Sequence, residues 1–331
     1  MRDLVTNCLN PSPSSNRQKH FLENEVSVVI STYSKNRLND LLDAIDSINQ
    51  QSLKPIEIIL VVDPSPRVLD FYDLHTPPNV KIVVSEKPGL SNARNMGSKE
   101  ATGKIIAYMD DDAVADKDWL RNIVEEFRNP DVVGVGGVIH PIWEDGRPFW
   151  FPEEMNWIVG CSYKGLPEKK TFVRNPIGCN MAFRKEILEK VGGFRPDIGR
   201  FRNTLLAGEE PELSMRILDN ISNSKILHTP SAVVYHKVKK KRLGLKHLFL
   251  RSFYEGISKA LIYVSVKNTK KKLSTETSYL EFMIKETIPS KLRGINRIEN
   301  ASQLLTLFIL TLTVFGGFIA FSLFKLVAGN E

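Results

Sequence analysis

With 331 residues, 42% hydrophobic and 25% charged, the chain can bury a sizeable core and falls outside the disordered and fibrous classes. Its three cysteines, Cys8, Cys161 and Cys179, are widely separated and odd in number; this argues against a disulfide scaffold or a CxxC zinc site and fits a reducing compartment. The net charge of +7 is unevenly spread: Lys237 to Lys272 carries +11 against −4 for the rest, a mildly acidic body with a basic segment suited to an anionic surface.

Residues 1–24 are polar, contain Pro11 and Pro13 among serines, lack the apolar core of a signal peptide and read as a flexible arm. From Glu25 the pattern alternates. Val26 to Ile30 predicts a strand, and Leu38 to Asn49 a helix with Leu38, Leu41, Leu42, Ile45 and Ile48 on one face. Ile56 to Val62 predicts a second strand, ending at Asp63 and a Pro-rich turn, and Val80 to Val84 a third. Ser91 to Ala101 reads as a helix between Gly89 and Gly103, followed by a short buried strand, Lys104 to Met109. Asp118 to Phe127 and Val132 to Ile139 predict another helix and strand. Strands alternating with helices over short connections predict a mostly parallel sheet flanked by helices.

Three consecutive carboxylates, Asp110, Asp111 and Asp112, follow the Lys104–Met109 strand. The C-terminal ends of strands are where open α/β sheets bind ligands, and alternate carboxylates such as Asp110 and Asp112 can share one hard divalent cation that in turn holds a diphosphate. Arg94, on the preceding helix, is a candidate for the phosphates, or else for a pairing with Glu100 or Asp111. Val133-Gly-Val-Gly-Gly-Val lacks the third glycine of GxGxxG and is not read as a dinucleotide site.

The second half is less regular. Trp143 to Trp157 is aromatic and Pro-rich, as a substrate-lining loop would be; Phe183 to Val191 predicts a helix closed by Gly192-Gly193. Pro211 to Asn220 predicts another helix with proline at its first position, preceded by Glu209 and Glu210, and Ala232 to Tyr235 a late strand ending at His236. A carboxylate beside another resists ionisation, as Glu210 is beside Glu209, whereas acids such as Glu212 also favour a helix N-terminus for its dipole alone. Lys237 to Val266 alternates basic and apolar residues, as does an amphipathic helix that either lies in a membrane interface or packs on the body; nucleic-acid binding is not expected. Leu304 to Phe324 is 21 residues without a charge, about 30 Å of helix, and reads as a membrane span. Lys285, Lys291, Arg293 and Arg297 precede it and only Lys325 follows, so a single-pass C-terminal anchor with the N-terminal body on the cytoplasmic side is expected.

In this order and spacing the pieces resemble family 2 glycosyltransferases over about Val26 to Val238. The Asp110–Asp112 triplet resembles their DxD motif, Val26 to Tyr33 their opening strand, Gly89-Leu-Ser-Asn-Ala-Arg-Asn-Met-Gly97 the segment before it, and Gly208-Glu-Glu-Pro-Glu-Leu213 their Gly-Glu-Asp-x-x-Leu element. The resemblance implies an A-type glycosyltransferase fold, a Rossmann-like mostly parallel sheet flanked by helices. It implies a nucleotide-sugar donor, a UDP-sugar, bound by Thr32, Tyr33, Asp63, Arg94 and Asp111, with Asp111 turned away from the metal as a supporting or capping group and Asp63 alternatively capping the turn through Pro64. It implies Mn2+ or Mg2+ on Asp110 and Asp112, with His236 completing the metal site or remaining structural. Glu210, supported by Glu209, takes the place of the catalytic base, which is usually Asp. Asn180, in Gly178-Cys-Asn-Met-Ala-Phe-Arg, is the candidate for hydrogen bonding the acceptor sugar. Trp157 to Pro167 with Val173-Arg-Asn-Pro176 is similar to a narrower group, archaeal glucosyl-dolichyl-phosphate glucuronosyltransferases, which extend lipid-linked glycans. A glucuronate carboxylate would find Arg174, Arg195, Arg200 or Arg202.

The expected organisation is an arm at 1–24, a catalytic domain at 25–238, basic membrane-interface helices at 239–300, and a transmembrane helix with a short tail at 301–331. The expected activity is inverting transfer of a hexose, glucuronic acid among the candidates, to a hydroxyl of a polyprenyl-linked saccharide in glycan or N-glycosylation precursor assembly. Partners are the donor, that acceptor and an anionic membrane surface. The alternatives are a polyprenyl-phosphate sugar synthase, whose acceptor is already ionised and needs no base, and a non-catalytic membrane-tethered lectin or assembly partner.

Overall fold

The structure is a computed structural model that describes residues 25–199, 205–265 and 274–328. Its first half follows the hydrophobic pattern. Strand β1 (Val26–Thr32) is followed by helix α1 (Leu38–Asn49), β2 (Glu57–Val62), α2 (Pro66–His75), β3 (Val80–Val84), α3 (Leu90–Glu100) and β4 (Ile105–Asp110). These four strands run parallel in the order β3-β2-β1-β4; β2 and β4 are apolar but for one terminal acid each, as strands covered on both faces are, whereas β1 also carries Ser27, Ser31 and Thr32. Helix α1 buries Leu41, Ile45 and Ile48 of the expected face and Ala44 beside them, while Leu38 and Leu42 are half-buried. The stretch read as a Pro-rich turn is helix α2: Pro66 occupies a first-turn position, where its missing N–H costs nothing.

The other half of the sheet is mixed. It contains β5 (Ala113–Ala115), β6 (Val132–Trp143), β7 (Thr171–Val173), β8 (Asn180–Arg184) and β9 (Lys225–Val238), with α4 (Trp119–Glu126) between β5 and β6. β8 sits antiparallel between β4 and β6, and β9 pairs parallel with β6 and antiparallel with β5 and β7. The parallel expectation thus holds for the first four strands and for the β6–β9 pair, while β5, β7 and β8 run antiparallel to their neighbours. Phe183 and Arg184, expected to begin a helix, end β8, and helix α5 covers Lys185–Val191 alone. The last third of the expected lining loop enters a 3₁₀ helix, Glu153–Val159, that buries Met155 and Ile158, and Met155 and Trp157 line a cavity. Helix α6 (Glu209–Asn220) starts two residues earlier than predicted, so Glu209 and Glu210 are its first helical residues and Pro211 its third.

After β9 the chain forms α7 (Leu245–Ser265), α8 (Ser274–Phe282), a π-helical turn (Met283–Thr287), α9 (Ile288–Arg293) and the 31-residue α10 (Ile298–Ala328). Ile298–Val327 is long and apolar enough to cross a membrane. Helices α7 and α10 meet backbone to backbone: a Cβ on Gly256 would lie 2.0 Å from the Val314 carbonyl oxygen, and one on Gly317 2.0 Å from that of Phe253. The crossing falls near the middle of the uncharged stretch. The outer face of α7 leaves Leu245, Phe249 and Leu250 exposed, and Gln303 of α10 donates to the Phe149 carbonyl (2.7 Å). These helices are therefore joined to the catalytic body as well as to each other.

Candidate functional site

The parallel strands bring their C-terminal ends to one edge. Register pairs Ser31 with Asp110 and Thr32 with Val62, so Tyr33, Asp63 and Asp110 emerge from adjacent strands. Tyr33 is exposed, with the Arg37 guanidinium 5.0 Å from its ring. Asp63 is half-buried; burial raises its pKa, opposed by a hydrogen bond from the Gly89 N–H.

The three aspartates have different fates. Asp110 is one-third exposed and lies 3.7 Å from Arg94 Nη2. Asp111 is buried: Thr32 Oγ1 donates to its Oδ2 (2.7 Å) and Arg37 pairs with its Oδ1. Burial outweighs that pairing, and its pKa is pushed up to about 7. Asp112 is buried too, its Oδ1 3.1 Å from His236 Nε2 and its Oδ2 2.9 Å from Arg242 Nη2 and 3.0 Å from Arg37 Nη1. Burial would raise its pKa, but His236, Arg242 and Arg37 together hold it far below the usual carboxylate range.

Two groups of site residues face partners within the protein. Thr32 and Asp111 spend their polar atoms on each other and on Tyr72 and Arg37, behind the ligand edge, so they brace the site. Asp112 is locked by cations, and among the described residues the donor atoms that converge are those of Asp110, Cys179 and His236, all within 4.8 Å of one another. The Cys179 thiol is driven well above its ordinary pKa by burial and by Asp110 and Asp112, which leaves Asp110 and His236 as the donors suited to a hard cation. His236 turns Nδ1 to the Cys161 sulfur (3.7 Å) and Nε2 to Asp112 and Arg242 (3.3 Å). The residues fit a divalent ion: a one-third exposed carboxylate and an imidazole face one cavity.

That cavity, about 480 Å³, is lined by Asp110, Arg94, Cys179, His236, Arg242, Glu209 and Glu210, and by residues of α7, α8 and α10. Arg94 is buried on α3 and ties its two sides together: its Nη1 is 3.2 Å from Glu209 Oε1, its Nη2 faces Asp110, and its guanidinium stacks 5.5 Å from Phe194. Neither Glu100 nor Asp111 is its partner in these contacts. Glu210 accepts a hydrogen bond from the Gly178 N–H on Oε1 (3.3 Å), while its Oε2 is buried without a partner. A Cβ at 178 would lie 2.9 Å from Arg94 Nη2 and 3.3 Å from Glu210 Oε1, so a side chain there would have to displace these two groups. Burial and the Glu209 charge raise the Glu210 pKa to about 7, against the opposing Arg94 charge.

Asn180 also faces partners within the protein. It is fully buried; Trp119 Nε1 donates to its Oδ1 (2.8 Å), and its Nδ2 donates to the Val138 (3.0 Å) and Ala232 (2.9 Å) carbonyls. It pins β8 to β6 and β9 and has no group left for a sugar. Of the arginines considered for a donor carboxylate, Arg174 lines the cavity and Arg195 pairs with Asp197, while Arg200 and Arg202 lie outside the described residues. Arg37, Arg242, Cys161 and Cys179 were not anticipated; only the Gly178-Cys-Asn motif carried any hint of one of them.

The sequence profile described as glycosyl transferase family 2 matches residues 27–192. The glucosyl-dolichyl phosphate glucuronosyltransferase of Haloferax volcanii is 31% identical over 309 residues, covering 89% of this chain and 95% of that protein. The mannosyltransferase PcManGT from Pyrobaculum calidifontis, solved with GDP-Man and Mn2+, superposes with a TM-score of 0.55 and 19% identity over 96% of this chain and 94% of its own. GalNAc-T7, solved with UDP, GalNAc and Mn2+, gives 0.50 and 16% over 80% of this chain and 56% of its own. The last two are similarities of fold.

Proposed function

Since the chain belongs to glycosyl transferase family 2 and is a glycosyltransferase of the A-type fold, we propose that it inverts the anomeric centre of a UDP-sugar while transferring it to a hydroxyl of a polyprenyl-linked saccharide. Glucuronic acid is the donor sugar favoured by the Haloferax relative's name. The observation that carries this reading is the single cavity holding Asp110 and His236 on one side, Glu210 on another and the helices α7 and α10 on a third.

Each residue has a derivable part. Glu210 Oε2, unpartnered and poised near neutral pH, takes the proton of the acceptor hydroxyl, whose oxygen forms the new bond to the anomeric carbon as the bond to the diphosphate breaks. Gly178 N–H fixes the other oxygen of that base. Glu209, paired with Arg94, keeps a negative charge beside Glu210 and sustains its basicity. Arg94 places a fixed positive charge between the carboxylates and the departing diphosphate. A divalent ion, when bound by Asp110 and His236, would neutralise charge on that diphosphate. Tyr33 and Asp63 frame the nucleotide at the strand edge. The polyprenyl-phosphate synthase alternative has no use for an unpartnered buried base, and the lectin alternative has none for a carboxylate tuned to about 7.

The apolar α10 and the exposed apolar face of α7 support attachment to a membrane, and Lys285, Lys291, Arg293 and Arg297 ahead of α10 against Lys325 after it favour its cytoplasmic side. The test is nucleotide release from UDP- and GDP-sugars with lipid-linked acceptors, with and without Mn2+. Glu210→Gln is expected to lower turnover by about 10²–10⁴ while leaving Mn2+-dependent nucleotide binding intact. Unchanged turnover would refute the assignment of the base.

A further inference from the structure

The cavity also holds a row of charged side chains for which the transfer step has no role. Arg251, Glu255 and Lys259 recur every fourth residue of α7 and so share one face. Arg251 Nη1 lies 2.7 Å from Glu255 Oε2, and Lys259 Nζ lies 3.1 Å from Glu255 Oε1 and 2.6 Å from Glu276 Oε1 on α8. Arg174 grips the same Glu276 with two bonds, 2.6 and 3.0 Å. All five line the cavity, and the row carries three cations against two anions.

Holding helices together does not account for this row. Apolar side chains of similar size would join α7 to its neighbours as well or better, since each buried charge must first lose its water. The contact of Gly256 and Gly317 already fixes α7 against α10. The row also adjoins the base: Ser258 accepts a hydrogen bond from the Ala207 N–H (3.0 Å), immediately before α6, and Ile262 touches Gly208. The remaining wall is apolar, made by Ile262, Leu280, Val314, Phe315 and Phe318. A row with one more cation than anions, an adjoining hydrocarbon surface and a nearby base match one ligand chemistry, a phosphate ester on an apolar chain.

We propose that Arg251, Lys259 and Arg174 bind the phosphate of the lipid acceptor, and that the apolar wall takes the first part of its hydrocarbon chain. This rests on the reading that the cavity admits the acceptor.

The test measures binding without turnover. Trp157 lines the cavity, so fluorescence of the full-length protein in detergent can be titrated with farnesyl phosphate, farnesol and inorganic phosphate. Farnesyl phosphate is expected to bind about tenfold or more tightly than farnesol, the scale of one charge-assisted hydrogen bond. Inorganic phosphate should be weaker than the ester; if it equals the ester, the site is for free phosphate and the lipid assignment is overturned. Lys259→Met and Arg251→Gln should each weaken the ester about tenfold with farnesol and Mn2+–nucleotide binding unchanged. Ile262→Trp, which fills the apolar wall and touches no charge, should weaken ester and alcohol alike and serves if a charge variant does not fold. Equal binding of ester and alcohol by the native protein, or displacement of the ester by UDP, overturns the proposal. Ester binding that survives in a protein without transferase activity would instead overturn the reaction and leave the phosphate site standing.

Discussion

The strand edge and the helix end of the cavity use the same chemical group for opposite purposes. At the edge, Asp112 sits among Arg37, Arg242 and His236 and is held ionised far below its usual range. At the start of α6, Glu210 has a second carboxylate as neighbour, one oxygen without a partner, and a pKa lifted to about 7. Burial is shared by both; the sign of the nearest charges separates them. One end is built to keep a negative charge, the other to gain and lose a proton.

That contrast can be broken from the edge inward. Asp112→Ala removes the common partner of three cationic or imidazole groups, and the expected loss is about 3–5 kcal/mol of stability, read by thermal or urea unfolding. A loss under about 1 kcal/mol, the range of an exposed pair, would mean the cluster is solvated. Asp110→Ala sharpens the same comparison. Being one-third exposed and only 3.7 Å from its nearest cation, it should leave the melting temperature of the free protein nearly unchanged. Yet it should weaken Mn2+-dependent stabilisation by UDP by about 10–100-fold in apparent affinity, the loss seen when a metal site is impaired. Stabilisation equal to the native protein's would exclude Asp110 as a metal ligand. Asn180→Ala is expected to cost about 1–3 kcal/mol through the unpaired Trp119 indole and two carbonyls, with the acceptor KM unchanged. A raised KM at constant stability would restore Asn180 to the acceptor site.

The donor edge was largely legible because its signals are local. A strand followed at once by Asp110–Asp112, and another by Asp63, puts acids where parallel strands end whatever the rest of the chain does. What pairs with those acids was not legible: Arg37 and Arg242 lie 74 and 130 residues from the aspartates they hold, and only the turn after β1 and the turn after β9 bring them in. Asn180 misled for a related reason. Its motif resembled an acceptor segment, but the register of β8, pairing Met109 with Asn180, turns the amide into the sheet and sets Cys179 beside Asp110. The Pro66–His75 helix was hidden by prolines, which signal a turn as readily as a first helical turn. The contact of α7 with α10 depends on two glycines sixty-one residues apart, an approach that periodicity alone does not reveal.

The base assignment also has a stability signature. A carboxyl whose folded pKa lies above its unfolded value binds its proton more tightly in the folded protein, so its contribution to stability is present below the unfolded pKa and is lost as pH rises through about 7. Glu210→Gln should therefore melt higher than the native protein at pH about 8, with the difference vanishing in mild acid. The most direct measurement is the transfer rate at saturating donor between about pH 5.5 and 8.5. The native enzyme should show a rising limb with its midpoint near 7, and the residual rate of Glu210→Gln should lack it. A native profile that is flat across that range, or a limb that persists in the variant, would contradict the account.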